Sequence, residues 1–188
     1  MKNVKLATAL FALGFVAIGS AAHASSNGGT ITFTGAVTDE TCTVTGGAGT
    51  DGGTGNFTVA LDPVAASKLP SAGSFANKKP FQVIIGGQGQ GSCQDGKVAT
   101  MSFLASSPRV NPNGNLDNAL TGQATNTQVQ VLDATGTAIA LNTGTWSVNS
   151  PAIANNTATI DFGAQYFATG AATPGLVSTS VIYAVTYN

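Results

Sequence analysis

Apolar and β-branched residues alternate with polar ones along most of this chain, and no window of helical length holds a 3.6-residue period with caps. The alternation predicts strands at 30–37, 42–45, 56–61, 80–85, 98–104, 127–132, 138–141, 157–162 and 176–187. Between them stand Gly46-Gly47, Asp51-Gly52-Gly53, Asp95-Gly96, Asn113-Gly114 and Thr135-Gly136, residues that tolerate the positive φ of tight turns. Alanine-rich 64–68 predicts one short helical turn, and the glycine- and threonine-rich stretch 45–55 predicts a mobile surface loop. Many short strands separated by glycine-rich turns point to an all-β domain, a sandwich or a barrel.

One segment breaks the alternation. Lys2 and Lys5 precede a continuous apolar run at 6–18, and the small-residue triplet Ala22-His23-Ala24 follows it. This is the pattern of a secretory leader cleaved after Ala24; thirteen residues that include Thr8 and Gly14 fall short of the roughly 18 that span a bilayer. Its removal leaves 164 residues without a histidine, carrying five basic and eight acidic side chains for a net charge of −3. Such a chain has no basic field for nucleic acid and no histidine for acid-base catalysis. Export also makes the cysteines legible, because two lone cysteines in one small domain pair in an oxidising compartment. A Cys42 to Cys93 disulfide is expected.

The remaining chemistry is sparse. Asp39 and Glu40 are neighbours, and in an extended segment neighbours point to opposite sides. Asp51, Asp62, Asp95, Asp117, Asp133 and Asp161 stand beside glycine or proline or at strand ends, where a short carboxylate bonds the local backbone. The glycine-rich stretch 86–91 follows a strand as a phosphate-binding loop does, but a second strand follows it and no helix N-terminus is there to meet a phosphate. Lys78-Lys79 reads as a solvated strand edge, and one tryptophan, Trp146, makes no aromatic platform for sugars. No catalytic residue, metal ligand or cofactor is expected.

The two ends of the exported chain are the informative parts. In the N-terminal strand Ile31, Phe33, Gly35 and Val37 share one face; in the last strand Val181, Tyr183, Val185 and Tyr187 do so, with Gly175 fourteenth from the C-terminus. Together with the cysteine pair, Gly28-Gly29-Thr30-Ile31-Thr32-Phe33-Thr34-Gly35, Val129-Gln130-Val131-Leu132-Asp133 and Tyr166-Phe167-Ala168-Thr169-Gly170, these residues resemble the subunits of the chaperone-usher fimbriae of Gram-negative bacteria, the major pilins of type 1-like fimbriae above all. The chain departs from that pattern in the glycine-rich insertion at 46–55 and in Gln165, where relatives usually carry arginine before the tyrosine.

The resemblance implies an immunoglobulin-like sandwich that lacks its final strand, with an apolar groove beside the C-terminal strand. It divides the chain into a leader at 1–24, a donor-strand extension at 25–40 and a pilin domain at 41–188. A periplasmic chaperone would fill the groove first, bonding along Val181, Tyr183, Val185 and Tyr187. The extension of the next subunit would replace it at the outer-membrane usher through Ile31, Phe33, Gly35 and Val37, a β-strand addition. The implied role is a structural shaft subunit at the cell surface with no membrane insertion once the leader is gone; the alternative is a minor adaptor near the tip of the same organelle.

Overall fold

The computed structural model describes residues 42–188. The leader at 1–24 with His23, the strand at 30–37 with Ile31, Phe33, Gly35 and Val37, and the carboxylates Asp39 and Glu40 lie outside the described residues.

The strands are β1 (Val44–Gly46), β2 (Phe75–Gly86), β3 (Ala99–Phe103), β4 (Leu116–Asp117), β5 (Thr127–Leu132), β6 (Ser147–Asn149), β7 (Thr157–Ala168) and β8 (Tyr183–Tyr187). They form two antiparallel sheets, one in the order β1-β2-β7-β5-β4 and the other β6-β3-β8. Alternation along each strand decides what is buried. Phe81, Val83 and Ile85 of β2, Met101 and Phe103 of β3, Val129 and Val131 of β5 and Ile160, Phe162 and Ala164 of β7 meet in one core between the sheets. Phe81 stands opposite Phe162 in the ladder and stacks on it at 5.4 Å between ring centroids; Phe103 meets the same ring edge-on at 5.6 Å. Trp146 stacks on Phe103 at 5.5 Å. Cys42 and Cys93 are joined by a disulfide, their Cα atoms 4.6 Å apart, and the Cys93 side chain is fully buried.

Several boundaries differ from the alternation. β2 begins five residues before Pro80, because Asn77 takes φ +52° and forms a bulge between Ala76 and Lys79 that hides the period. β7 runs through Gly163 to Ala168. The two-residue β4 and three-residue β6 are too short to show a period. At 138–141 there is no strand: Ala138 forms a single bridge to Leu132, and Leu141–Thr143 is a 3-10 turn. The expected helical turn in the alanine-rich stretch is the 3-10 turn Ala66–Lys68.

The stretch 45–55, expected to be mobile, is folded onto β2. Gly46 N–H donates to Gly53 O at 3.0 Å and Gly55 N–H to Val44 O at 2.7 Å, while Gly47 N–H reaches Gln82 O and Gln82 N–H reaches Ala48 O. One of its glycines serves close contact: Gly49 has φ +82°, and a Cβ there would lie 2.3 Å from the Pro80 carbonyl oxygen. Asp51 caps the turn by accepting from Gly53 and Thr58 N–H, which holds its carboxyl below the usual carboxylate range.

The larger sheet also carries a chain of side-chain amides. Gln165 donates to Gln130 (2.8 Å), Gln130 to Asn115 (3.2 Å), Asn115 to Gln128 (3.1 Å) and Gln128 to Asp117 (2.8 Å). Gln165 and Asn115 are buried, and each donor has found an acceptor, as buried amides require.

Candidate functional site

Among the described residues, the last segment of the chain finds backbone partners along only one of its two edges. From Leu176 onward the even-numbered residues are held: Leu176 N–H by Gln123 Oε1, Ser178 N–H by Asn118 Oδ1 and Ile182 N–H by Ser107 Oγ. Val98 and Asn188 exchange bonds of 3.1 and 3.0 Å, and Ile182 O accepts from Leu104 N–H, so the even residues of β8 face β3. Neighbouring residues of a strand send their peptide groups to opposite edges. The N–H and C=O groups of Val177, Thr179, Val181, Tyr183 and Val185 therefore face the other way, where no described residue pairs with them. That edge is about 30 Å long at the strand rise.

The same odd-numbered residues turn their side chains inward, and there they stay half-buried while each even neighbour from Leu176 to Asn188 is exposed. A matching wall stands opposite. In 55–61 the peptide groups of Thr58 go to Asp51, while the side chains of Phe57, Val59 and Leu61 point inward and are likewise half-buried. Between the walls lies an elongated groove of about 660 Å³, floored by core residues of both sheets, among them Met101, Phe103, Leu116, Val129, Val131 and Ala164. A half-buried apolar face beside an unpaired edge is what a sandwich shows where one strand is missing.

Val181 and Tyr183 line this groove, and Val185 and Tyr187 continue the same inward face beyond it, packed against the core. Tyr187 Oη donates to Cys42 O at 3.2 Å, which ties the end of β8 to the disulfide. Tyr183 Oη donates to Gly55 O across the groove, and its ring lies 5.8 Å from that of Phe57. Burial raises the Tyr183 phenol above its ordinary value of 10.0. Gly175 stands at the start of the wall, where a Cβ would meet Ala124 N at 2.2 Å, so only glycine lets the backbone pass. Of the residues singled out in the C-terminal strand, Val181 and Tyr183 line the groove, while Gly175 precedes its wall. The second wall, Phe57, Val59 and Leu61, lies in the segment expected as a strand at 56–61; it keeps the alternation in burial, but among the described residues it joins no ladder and is not a strand.

The acidic residues are occupied locally. Asp62 pairs with Lys79 at 3.2 Å, Asp95 accepts from Asn155 and Asn156 N–H, Asp161 accepts from Gln82, and Asp133 closes the 133–137 turn. Among the described residues no three His, Cys, Asp or Glu side chains are grouped to hold a metal, and no helix is long and apolar enough to cross a membrane. After β2 the glycine-rich stretch makes turns that lead to the Cys93 disulfide, with no helix behind it.

Comparison with known proteins gives this geometry its context. The family model described as fimbrial protein matches residues 31–188. The F17 fimbrial protein of Escherichia coli is 34% identical over 180 residues, which cover 94% of this chain and 97% of that protein. The major fimbrial subunit SMF-1 of Stenotrophomonas maltophilia (strain K279a) is 36% identical over 171 residues, covering 88% of this chain and 95% of its own. In fold the chain is similar to a subunit of a chaperone-usher pilus solved to explain rod uncoiling, with a TM-score of 0.54 at 18% identity over 87% of this chain and 97% of that one.

Proposed function

The chain belongs to the fimbrial protein family, and from that premise we propose that it is a repeating structural subunit whose groove is filled, in the assembled fimbrium, by the N-terminal extension of the next subunit. As a fimbrial protein it is exported to the cell surface. One observation carries the proposal: the C-terminal segment holds a peptide edge that no described residue pairs with and a half-buried apolar face at the same residues, Val177 to Val185.

A strand entering the groove pairs its main chain with that edge and buries Ile31, Phe33 and Val37 against the floor. At 1.5 to 3 kcal/mol per buried side chain the three supply roughly 4.5 to 9 kcal/mol before the cost of association, an upper-range figure. Donor and acceptor surfaces differ, so each contact is heterologous and propagates as an open filament. Before assembly the exposed edge needs a temporary partner, because an unpaired apolar edge aggregates. A periplasmic chaperone contributing a strand along Val181, Tyr183, Val185 and Tyr187 meets that need, and release at an outer-membrane usher hands the groove to the next extension. The role is structural, not catalytic.

The test is a chain whose mature form lacks residues 25–40, co-expressed with its chaperone and usher. It should be recovered with the chaperone in wild-type yield, while electron microscopy shows filaments from the intact chain alone. Filaments built from the shortened chain would refute the proposal.

A further inference from the structure

Resting on the reading above, we propose that Asp51 and Asn77 latch the second wall of the groove to the larger sheet and so set the rate at which a strand enters and leaves. That wall belongs to neither sheet. Residues 56–61 form no ladder with any described strand, so their position depends on fastenings at a few points. At the near end Gly55 N–H donates to Val44 O at 2.7 Å, and Gly55 O accepts from Tyr183 Oη across the groove. In the middle Thr58 N–H donates to Asp51 Oδ1 at 2.9 Å, and Asp51 N–H donates to Thr58 O at 3.0 Å. At the far end Asn77 Nδ2 donates to Asp62 O at 3.2 Å and to Pro63 O at 2.9 Å. Lys79 reaches the Asp62 carboxylate too, but that carboxylate is solvated, where an ion pair holds little.

Both latches stand on firm ground. Asp51 sits in the stretch that Gly47 N–H ties to Gln82 O at 2.8 Å and Gln82 N–H ties to Ala48 O at 2.9 Å, so its carboxylate is carried by β2. Asn77 occupies the bulge of β2 at φ +52°, and a bulge re-aims a side chain; here the amide leaves the ladder and takes hold of residues 62 and 63. The wall can therefore swing away at the loss of a few side-chain bonds while both sheets stay intact, the behaviour of a locally opening segment. Tyr183 joins the two walls through Gly55 and the ring of Phe57, so a strand seating between the walls separates them, and the latches oppose that separation. Apolar area supplies the grip; the latches supply the barrier. Asp51 lies in the glycine-rich insertion by which the sequence departs from the fimbrial pattern, which makes the barrier a property of this chain. Asp51 and Asn77 act as positioning residues, with their effect carried through the wall.

Two measurements on the subunit held by its chaperone test this. Amide hydrogen exchange read by mass spectrometry compares segment 56–63 with β5 and β7, and native mass spectrometry follows replacement of the chaperone by a synthetic peptide spanning residues 25–40. Asp51→Ala should speed exchange in 56–63 about tenfold or more, the scale of losing a hydrogen bond to a charged group, and leave β5 and β7 as they are. Asp51→Asn keeps an acceptor oxygen and should keep most of the protection. Asn77→Gly retains the positive φ without the side chain and should loosen the far end of the same segment. Both Asp51→Ala and Asn77→Gly should take up the peptide faster and lose it faster to an excess of labelled peptide, whereas a merely structural role would lower the yield of complex and raise exchange in the core as well. If Asp51→Ala is not recovered, Asn77→Gly carries the comparison. Unchanged exchange in 56–63, an equal rise in β5 and β7, or a loosened wall with wild-type uptake overturns the proposal. If the wild-type subunit takes up no peptide, the donor-strand reading fails, and with it the role in strand entry, while the exchange data still decide whether the wall is latched.

Discussion

Replacing both cysteines by alanine should weaken the subunit more than any single surface change. The bond joins residues 51 apart in sequence, and closing a loop of about 50 residues in the unfolded chain contributes roughly 4 kcal/mol in the chain-entropy treatment. Cys93 is fully buried with its sulfur against Gly86, so loss of packing adds to the entropic part. The bond also fixes Cys42, whose carbonyl anchors Tyr187 at the end of the groove edge, so the loss extends to the assembly surface. Against a total of 5 to 15 kcal/mol for a domain, such a loss is a large fraction. The assay is urea unfolding of wild type and Cys42→Ala/Cys93→Ala, each saturated with the same excess of the 25–40 peptide so that the binding contribution is matched. At a slope of 1 to 3 kcal/mol per molar urea, the midpoint should fall by roughly 2 M, with a steeper slope because the uncrosslinked unfolded chain is more expanded. A loss below about 1 kcal/mol with an unchanged slope would refute the reasoning, since it would mean the crosslink does not constrain the unfolded ensemble.

Three further outcomes are expected. Tyr187→Ser removes an inward aromatic ring and its bond to Cys42 O, and the yield of chaperone–subunit complex on co-purification should collapse; equal yields would take β8 out of the chaperone interface. Gln165→Leu leaves the Gln130 carbonyl without its donor inside the amide chain and should cost about 1 to 3 kcal/mol in thermal or denaturant unfolding, where a surface glutamine would cost almost nothing. The Tyr183 phenol, raised by burial, favours its neutral form in the folded subunit. Its contribution is fully present below the ordinary value of 10.0 and is lost as pH rises through the higher folded value, so an absorbance titration should show late phenolate absorbance that shrinks by one tyrosine's share in Tyr183→Phe, the remainder coming from Tyr166, which burial also raises.

The sandwich class, the disulfide and the C-terminal face were legible because each rests on a local rule: period two, two cysteines in an exported domain, and an alternation running to the chain end. What escaped was set by partners distant in sequence. Segment 56–61 has the alternation of a strand, yet its structural meaning depends on facing Val177 to Tyr183 across the groove, which no local pattern contains. Segment 45–55 looked mobile because glycine usually signals freedom; here the backbone of β2 comes so close to Gly49 that only glycine fits. Gln165 stood out in the sequence only as a departure from the usual arginine; its structural role depends on Gln130 and Gln128 of β5 and Asn115 just before β4, which receive and pass on its hydrogen bond.

The stack of Trp146 on Phe103 gives the subunit an optical property. The chain has one tryptophan, so its emission reports a single environment. Its indole leans on Phe103 and Phe162, and Phe103 is at the same time part of the groove floor. When a strand covers that floor, water leaves the far side of the ring on which the indole rests, and the fluorophore senses a drier, stiffer neighbourhood without touching the new strand. Filling and emptying of the groove can therefore be timed by intrinsic fluorescence, on an unlabelled subunit, from a side chain outside the binding surface.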